Sequence, residues 1–169
     1  CRWIHINKGD AKNRNIRSRL VGREMKKKGE DSIFAGTPGL MVVKFMLSRA
    51  TTQSSSWKLN EPQKLKLSLI DLKRAFFHSK IRSDVWVCPP HLVGTGQCWK
   101  LKKAMYGTLS AAGDFQAELS EQMITSLEFD QGLTTPCIFR LDSRELDVCV
   151  HGDDVIAVGT DEQLTWFRR

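Results

Sequence analysis

Residues 146–158 read Leu-Asp-Val-Cys-Val-His-Gly-Asp-Asp-Val-Ile-Ala-Val, two short apolar runs on either side of an adjacent pair of aspartates. Apolar runs around a Gly-Asp turn signal predict two strands joined by a tight hairpin, with Asp153 and Asp154 at its tip. Adjacent carboxylates repel each other, and burying either one without a partner would cost several kcal/mol. A bound divalent cation is the simplest relief for this repulsion.

A third carboxylate ends another strand-like segment. Residues 64–71 alternate in polarity, with Leu65, Leu67 and Leu69 on one face and Asp71 at the end. This alternation predicts a half-buried strand. A single aspartate at a strand end is most often a turn residue or a helix cap. Three aspartates on two strand ends instead indicate a metal site suited to phosphate chemistry.

Size and composition are those of a globular chain. It has 169 residues, of which 41% are hydrophobic and 27% charged. Because no apolar run approaches the roughly 20 residues of a membrane helix, no membrane partner is expected.

The five cysteines are odd in number and lack Cys-x-x-Cys spacing, which argues against a structural zinc site or a disulfide framework and favours an intracellular setting. The start without Met or an apolar leader predicts a fragment of a longer polypeptide.

The positive charge is concentrated at the N-terminus. Residues 1–30 carry ten Lys and Arg against three acidic residues, a net of +7, and the rest of the chain nets to zero. A local basic surface of this size favours a polyanion such as nucleic acid or a triphosphate, although a solvated basic segment is the simpler alternative.

The order of predicted elements indicates an α+β fold. The turn signal at residues 7–10 separates two strand-like runs and predicts a basic hairpin. Apolar spacing predicts helices over about residues 39–50 and 110–127, and further strands over 98–105 and 137–140. Together with the aspartate-containing strands, this order predicts an antiparallel sheet with helices on one face and a split βαβ, ferredoxin-like core.

Four blocks of the chain match the motifs of one family in their order and approximate spacing. Arg17–Arg23 resembles K-A-R-L-V-A-R-G, and Ile70–His78 resembles M-D-V-K-T-A-F-L-H. Cys98–Gly107 resembles V-C-K-L-K-K-A-L-Y-G, while Cys137–Phe139 followed by Val148–Gly159 resembles C-I-F and Y-V-D-D-I-I-I-A-G. On these motifs the chain resembles the reverse transcriptase domain of copia-type retrotransposon polyproteins over nearly its whole length.

The resemblance implies a right-hand polymerase that lacks a thumb within this chain. Residues 1–63 would form fingers, 64–83 the palm with its first catalytic strand, 84–105 a return to the fingers, and 106–169 the palm with its helix and Asp-Asp hairpin. The implied activity is RNA-directed DNA polymerisation, in which a dNMP passes from a dNTP to a primer 3′-OH.

The resemblance also assigns the chemistry to named residues. Asp71, Asp153 and Asp154 would be the catalytic and metal-binding residues, with Asp71 and Asp153 sharing two Mg²⁺ ions that Mn²⁺ could replace. Two ions of this kind neutralise the charge that develops during phosphoryl transfer. Phe76 would be the steric gate against a ribose 2′-hydroxyl, whereas without the resemblance it would be a core aromatic residue.

Further positions would contact the substrates. Three basic residues fall where the fingers would meet the incoming triphosphate, without an assignment among them: Lys12, Arg17 and Arg19. Four residues would contact template and primer: Tyr106, Gly107, His151 and Gly152. Tyr106 could equally be a turn residue that caps the following helix.

Partners and location follow from the same resemblance. The implied partners are an RNA template, a DNA or tRNA primer, dNTPs, and the thumb, ribonuclease H and integrase domains of the polyprotein. The implied location is cytoplasmic, within a virus-like particle, with a nuclear stage allowed.

Two substituted motifs, among several departures from the family pattern, keep alternatives open. His151-Gly152 stands where the family has Tyr-Val, and residues 107–112 read Gly-Thr-Leu-Ser-Ala-Ala where it has G-L-K-Q-A-P. A catalytically inactive, decayed copy that still binds nucleic acid is therefore the main alternative. A weaker alternative is a nucleotide cyclase, which the Gly-Asp-Asp hairpin suggests and the Asp71–Phe76 block opposes.

Overall fold

The chain divides into two compact units, each assembled from two separate stretches of sequence. The computed structural model describes residues 1–25, 35–52 and 64–169. The first unit comprises Cys1–Phe34 with Phe76–Phe115, and the second comprises Ala35–Ala75 with Gln116–Arg169. Residues 26–30 of the basic N-terminal segment lie outside the described residues. The assignment of fingers and palm segments stays a prediction.

The described residues form antiparallel sheets and three α-helices, so the broad expectation of a mixed, antiparallel architecture is confirmed. None of these helices has the length and apolar character needed to cross a membrane. The elements in chain order are β1 (Arg2–Asn7), β2 (Ile16–Val21), α1 (Leu40–Ala50), β3 (Lys66–Asp71), β4 (Trp86–Val87), β5 (Trp99–Lys100), α2 (Ala111–Thr125), β6 (Asp130–Gln131), β7 (Ile138–Leu141), β8 (Leu146–His151), β9 (Asp154–Gly159) and α3 (Asp161–Phe167).

The first unit contains two small sheets. β1 and β2 pair along their whole length, from Arg2 opposite Val21 to Asn7 opposite Ile16, as the expected basic hairpin. β4 and β5 form the second sheet. The strand expected over residues 98–105 is wrong in extent, because only Trp99–Lys100 pairs as a strand there.

A five-stranded sheet organises the second unit. Its strand order is β3-β9-β8-β7-β6, and every neighbouring pair is antiparallel. β3 and β8 therefore run in the same direction with β9 between them. Since α2 lies in the connection from β3 to β8, this part of the sheet has the split βαβ arrangement that the element order predicts.

Helices cover both faces of this sheet, so the expectation of helices on one face is wrong. Met46 of α1 packs with Cys149 and Val158 on one face. Met123 of α2 and Leu164 of α3 pack on the opposite face. The strand residues in this second cluster include Val148, Val150 and Ala157, which neighbour Cys149 and Val158 in sequence. The reason lies in β8, where five successive residues are buried. Because consecutive strand side chains point to opposite faces, a strand buried over successive residues requires cover on both faces.

Candidate active site

A two-residue turn carries the first aspartate of the pair. β8 ends at His151, which pairs with Asp154 at the start of β9, and Gly152 and Asp153 form the turn between them. Gly152 has a φ of +63°, and it is the only one of the two turn residues with a positive φ. This pattern is that of a type II′ hairpin turn, which favours glycine at its first central position. The tight hairpin predicted from the sequence is therefore confirmed.

The third aspartate lies directly beside this hairpin. β3 pairs with β9 so that Asp71 stands opposite Asp154. One residue further, the N–H of Leu72 donates a hydrogen bond of 2.8 Å to the carbonyl oxygen of Asp153. The structure thus brings Asp71, Asp153 and Asp154 together at one end of two adjacent antiparallel strands, although 82 residues separate Asp71 from Asp153 in sequence. Their catalytic role stays a prediction.

The electrostatics of this edge suit a hydrated divalent cation. All three aspartates are exposed, and like charges directly opposite each other on neighbouring strands destabilise the pairing. Among the residues that the structure describes, no three His, Cys, Asp or Glu side chains form a ready-made metal-binding cluster. Mg²⁺ does not need one, because it keeps several waters and takes one or two carboxylates together with substrate phosphates. The donor set therefore fits Mg²⁺.

Buried ion pairs anchor the strand that leads into the hairpin. Asp147 on β8 accepts hydrogen bonds from Arg49 at 3.2 Å and from Arg140 at 2.7 Å, and Arg49 also binds Glu145 at 3.1 Å. Burial opposes the charge of Arg140, but its bonds to Asp142 and Asp147 outweigh that effect and raise the pKa of the guanidinium. Arg49 thereby ties α1 to β8, and Arg140 ties β7 to the same strand.

The buried thiols of the second unit are not candidate nucleophiles. Burial, and to a lesser extent the neighbouring Cys137 thiol, raise the pKa of Cys149 to about 12. Burial likewise raises the pKa of Cys137. Because a thiol reacts as its thiolate, both side chains are inert packing groups at neutral pH.

Two aromatic residues that were predicted to contact the substrates, Phe76 and Tyr106, lie close together in the first unit. The Phe76 ring centroid lies 4.6 Å from that of Tyr106 and 5.9 Å from that of Phe115. The guanidinium of Arg19 lies 5.7 Å from the centroid of the Tyr106 ring. The structure therefore brings together Phe76, Tyr106 and Arg19, three residues predicted from separate motifs. Phe76 is half-buried in this cluster, and its role as a steric gate stays a prediction.

The three residues predicted to bind the triphosphate lie along one hairpin. Arg17 and Arg19 are opposite Ile6 and Ile4, so both point to the same face of the β1–β2 sheet. Lys12 lies in the loop between the strands, where its N–H donates to the Asp10 carboxylate at 2.8 Å. Arg17 and Arg19 thus share a surface, while Lys12 stands at the far end of the hairpin.

A close backbone approach explains Gly107, and the motifs alone did not reveal it. A Cβ on Gly107, whose φ is +86°, would lie 2.2 Å from the carbonyl oxygen of Gly22. The N–H of Gly22 donates to the Tyr106 carbonyl at 2.6 Å, and the N–H of Leu109 donates to the Glu24 carboxylate at 2.7 Å. The only sequence signal for this contact is a glycine in each of two distant blocks. The close approach at Gly107 therefore positions both Tyr106 and the segment that follows β2.

Comparison with known proteins assigns the chain to a family. No curated protein and no solved structure matches the chain significantly. A family model described as "Reverse transcriptase (RNA-dependent DNA polymerase)" matches residues 1–166, which is nearly the whole chain. The neighbouring aspartates on β3 and the β8–β9 hairpin lie within that match, and the chain belongs to the reverse transcriptase (RNA-dependent DNA polymerase) family.

Proposed function

We propose that the chain is the catalytic part of an RNA-directed DNA polymerase from a copia-type retrotransposon polyprotein. The observation that carries the proposal is the pairing of Asp71 with Asp154, next to Asp153, at the end of two adjacent strands. Carboxylates so far apart in sequence and so close in register suit the binding of cations that hold a nucleotide's phosphates.

The residues would act by holding charge around one phosphorus atom. In the proposed reaction the primer 3′-oxygen forms a bond to the α-phosphorus of a dNTP, the bond to the β-phosphate oxygen breaks, and pyrophosphate leaves. Asp71 and Asp153 would hold two Mg²⁺ ions, or Mn²⁺ in their place, with Asp154 supporting them. When bound, such ions neutralise charge on the attacking oxygen, the phosphorus and the leaving group.

The first unit would select and orient the nucleotide. Arg17 and Arg19 share one face of a hairpin, and guanidinium groups bind phosphate oxygens in pairs. Lys12 would contribute charge at a distance from them. Phe76 would exclude the ribose 2′-hydroxyl, and its packing against Tyr106 supports a rigid ring suited to a steric gate.

The template and primer would meet two glycine-containing turns. Tyr106 and Gly107 form one of them, and a tyrosine ring can stack on a base or sugar. His151 ends β8 and Gly152 begins the other turn, directly before Asp153. The RNA template, the DNA or tRNA primer, and the thumb, ribonuclease H and integrase domains are the proposed partners, in a cytoplasmic virus-like particle with a nuclear stage.

A decayed copy that only binds nucleic acid is the second candidate. The observation favouring it is the replacement of the family's Tyr-Val by His151-Gly152 at the hairpin. In that case the basic N-terminal segment would still bind RNA or DNA, with strong dependence on salt.

Primer extension on an RNA template separates the two candidates. The assay uses the chain extended through its thumb, with dNTPs and Mg²⁺ or Mn²⁺. We expect extension by the unmodified protein and its loss in Asp71→Asn and Asp153→Asn. The matched control is Asp130→Asn, an exposed aspartate at the opposite edge of the same sheet, which should extend normally. Full activity of Asp71→Asn would overturn the assignment, and a folded but inactive unmodified protein would favour the decayed copy.

A further inference from the structure

A second concentration of cations becomes visible only in the folded chain. Residues 80–103 carry five Lys and Arg against one acidic residue, Asp84. The two basic stretches, at residues 80–82 and 100–103, lie on opposite sides of a long loop in sequence. The net charge of the chain outside residues 1–30 is zero, so composition alone hides this group.

An irregular antiparallel ribbon brings the two stretches together. Lys80 pairs with Lys103 in an isolated bridge, and Trp86 pairs with Lys100. Between these pairs, the N–H of Leu101 donates to the carbonyl oxygen of Val85 at 2.9 Å. We call this feature the Trp86 ribbon, defined as residues 79–87 and 99–104. All five of its cations are exposed: Lys80, Arg82, Lys100, Lys102 and Lys103.

An exposed aromatic ring stands among these cations. Trp86 is 61% exposed, which is unusual for the largest apolar side chain. The Nζ atom of Lys100 lies 5.8 Å from its ring centroid, within the range of a cation–π contact. The same Nζ lies 2.6 Å from the carboxylate of Asp84, in an ion pair whose two side chains are 51% and 78% exposed.

A cleft shares Lys100 with the cation–π contact and is lined by three of the five cations. Its volume is about 400 Å³, which is within the range of small-ligand sites. The polar side chains in its lining are Arg82, Ser83, Asp84, Lys100 and Lys102. Three cations and a hydroxyl against one carboxylate make this cleft attractive to a phosphate group.

We propose that the Trp86 ribbon binds single-stranded nucleic acid, with a base stacked on Trp86 and the adjoining phosphates in the cleft. Positive grooves with exposed aromatic rings are how proteins bind single strands without sequence preference, because every base offers a π-face. A duplex keeps its bases stacked inside and cannot use the ring. The exposed ion pair to Asp84 contributes little, so a phosphate can replace that carboxylate on Lys100. As a site for a template strand the ribbon rests on the proposed function, although the binding itself needs neither metal nor dNTP.

Fluorescence anisotropy with labelled oligouridine and oligothymidine of about 12 nucleotides tests the proposal. Titrations use the whole chain in EDTA, with circular dichroism to check the fold of each variant. We expect Trp86→Ala to weaken binding about tenfold and Trp86→Phe to keep it within about twofold. Asp84→Asn should bind more tightly, because the competing carboxylate is gone. Equal losses with both oligonucleotides would show that the 2′-hydroxyl is not recognised.

The lysines are tested through the dependence of affinity on salt. Between about 50 and 200 mM KCl, the paired change Lys100→Gln with Lys102→Gln should lower the slope of log affinity by about 0.7 for each lost phosphate contact. Lys44→Gln, an exposed lysine on α1, loses the same charge elsewhere and should leave the slope unchanged.

Two results would overturn the proposal. One is that Trp86→Ala and the double lysine variant keep the affinity and the salt slope of the unmodified protein. The ribbon would then be a surface for binding another protein instead. The other is an equal loss of duplex binding in Trp86→Ala, which would exclude base stacking. Failure of polymerisation affects neither measurement, because no synthesis is involved.

Discussion

The pairing of Asp71 with Asp154 predicts that the metal-free protein becomes more stable when one of these charges is removed. Like charges directly opposite on neighbouring strands cost roughly 0.2–1 kcal/mol, and Asp71→Asn keeps the side-chain shape while removing the repulsion. We therefore expect a gain of about 0.5 kcal/mol in the free energy of unfolding, measured by urea titration in EDTA. Since both side chains are exposed, added salt should reduce the gain.

Magnesium should reverse the order of the two proteins. A cation that binds only the folded state stabilises it by about 1.4 kcal/mol at ten times its dissociation constant. The unmodified protein should gain this amount, whereas Asp71→Asn should gain much less because it lacks a proposed ligand. The unmodified protein is then the more stable one in Mg²⁺ and the less stable one in EDTA, with ionic strength held constant.

Asp130→Asn is the matched control for this inversion. Asp130 lies in the same sheet but opposite Arg140, so its charge meets a cation. Its substitution should lower stability slightly or leave it unchanged, and should not alter the response to Mg²⁺. The reasoning is refuted if Asp71→Asn is no more stable than the unmodified protein in EDTA and gains as much from Mg²⁺.

Three further predictions concern the framework around the site. Arg49→Met should destabilise the chain by about 3 kcal/mol in urea titrations, because it removes the cation that contacts buried Glu145 and one of the two that contact buried Asp147. Lys66→Met breaks an exposed pair and should cost about 1 kcal/mol or less, and equal losses would contradict the role of burial. Gly152→Val should cost about 1–2 kcal/mol, because a β-branched residue is strained at φ +63°, and an unchanged urea midpoint would argue against this turn. The pKa of the Cys149 thiol is about 12 in the folded state, against an ordinary 9.0. Because the unfolded chain loses this proton at lower pH than the folded one, the free energy of unfolding should fall as pH rises through this interval. Cys149→Ala should flatten that decline, and an identical pH dependence would oppose the assigned cause.

Features that depend on nearby residues were predictable. The helix expected to end at residue 50 does so, and the helix expected over residues 110–127 spans Ala111–Thr125. Turn chemistry placed Gly152 and Asp153 between two strands because few residue pairs suit a two-residue hairpin. The spacing of apolar residues and the turn residues that determine such elements lie within a few sequence positions of each other.

Features that depend on distant residues were not predictable from the same signals. The β8 segment was predicted as a strand, but the need for cover on both of its faces was missed. The fit of Gly107 against Gly22 joins positions 85 residues apart, and neither glycine signals the other. Similarly, the cations of the Trp86 ribbon cancel against acidic residues in any composition count.

The sequence by itself determined which residues could carry the proposed phosphoryl transfer. Three aspartates at predicted strand ends stand in family motifs, and their residue type and order single them out. Only the tertiary structure decided that Asp71 stands opposite Asp154, through the antiparallel register of β3 and β9. It also decided that α1 covers the second face of the sheet and that Lys100 lies beside Trp86. The physical reason is that register and packing are set by contacts between distant segments, whose energies no local pattern encodes.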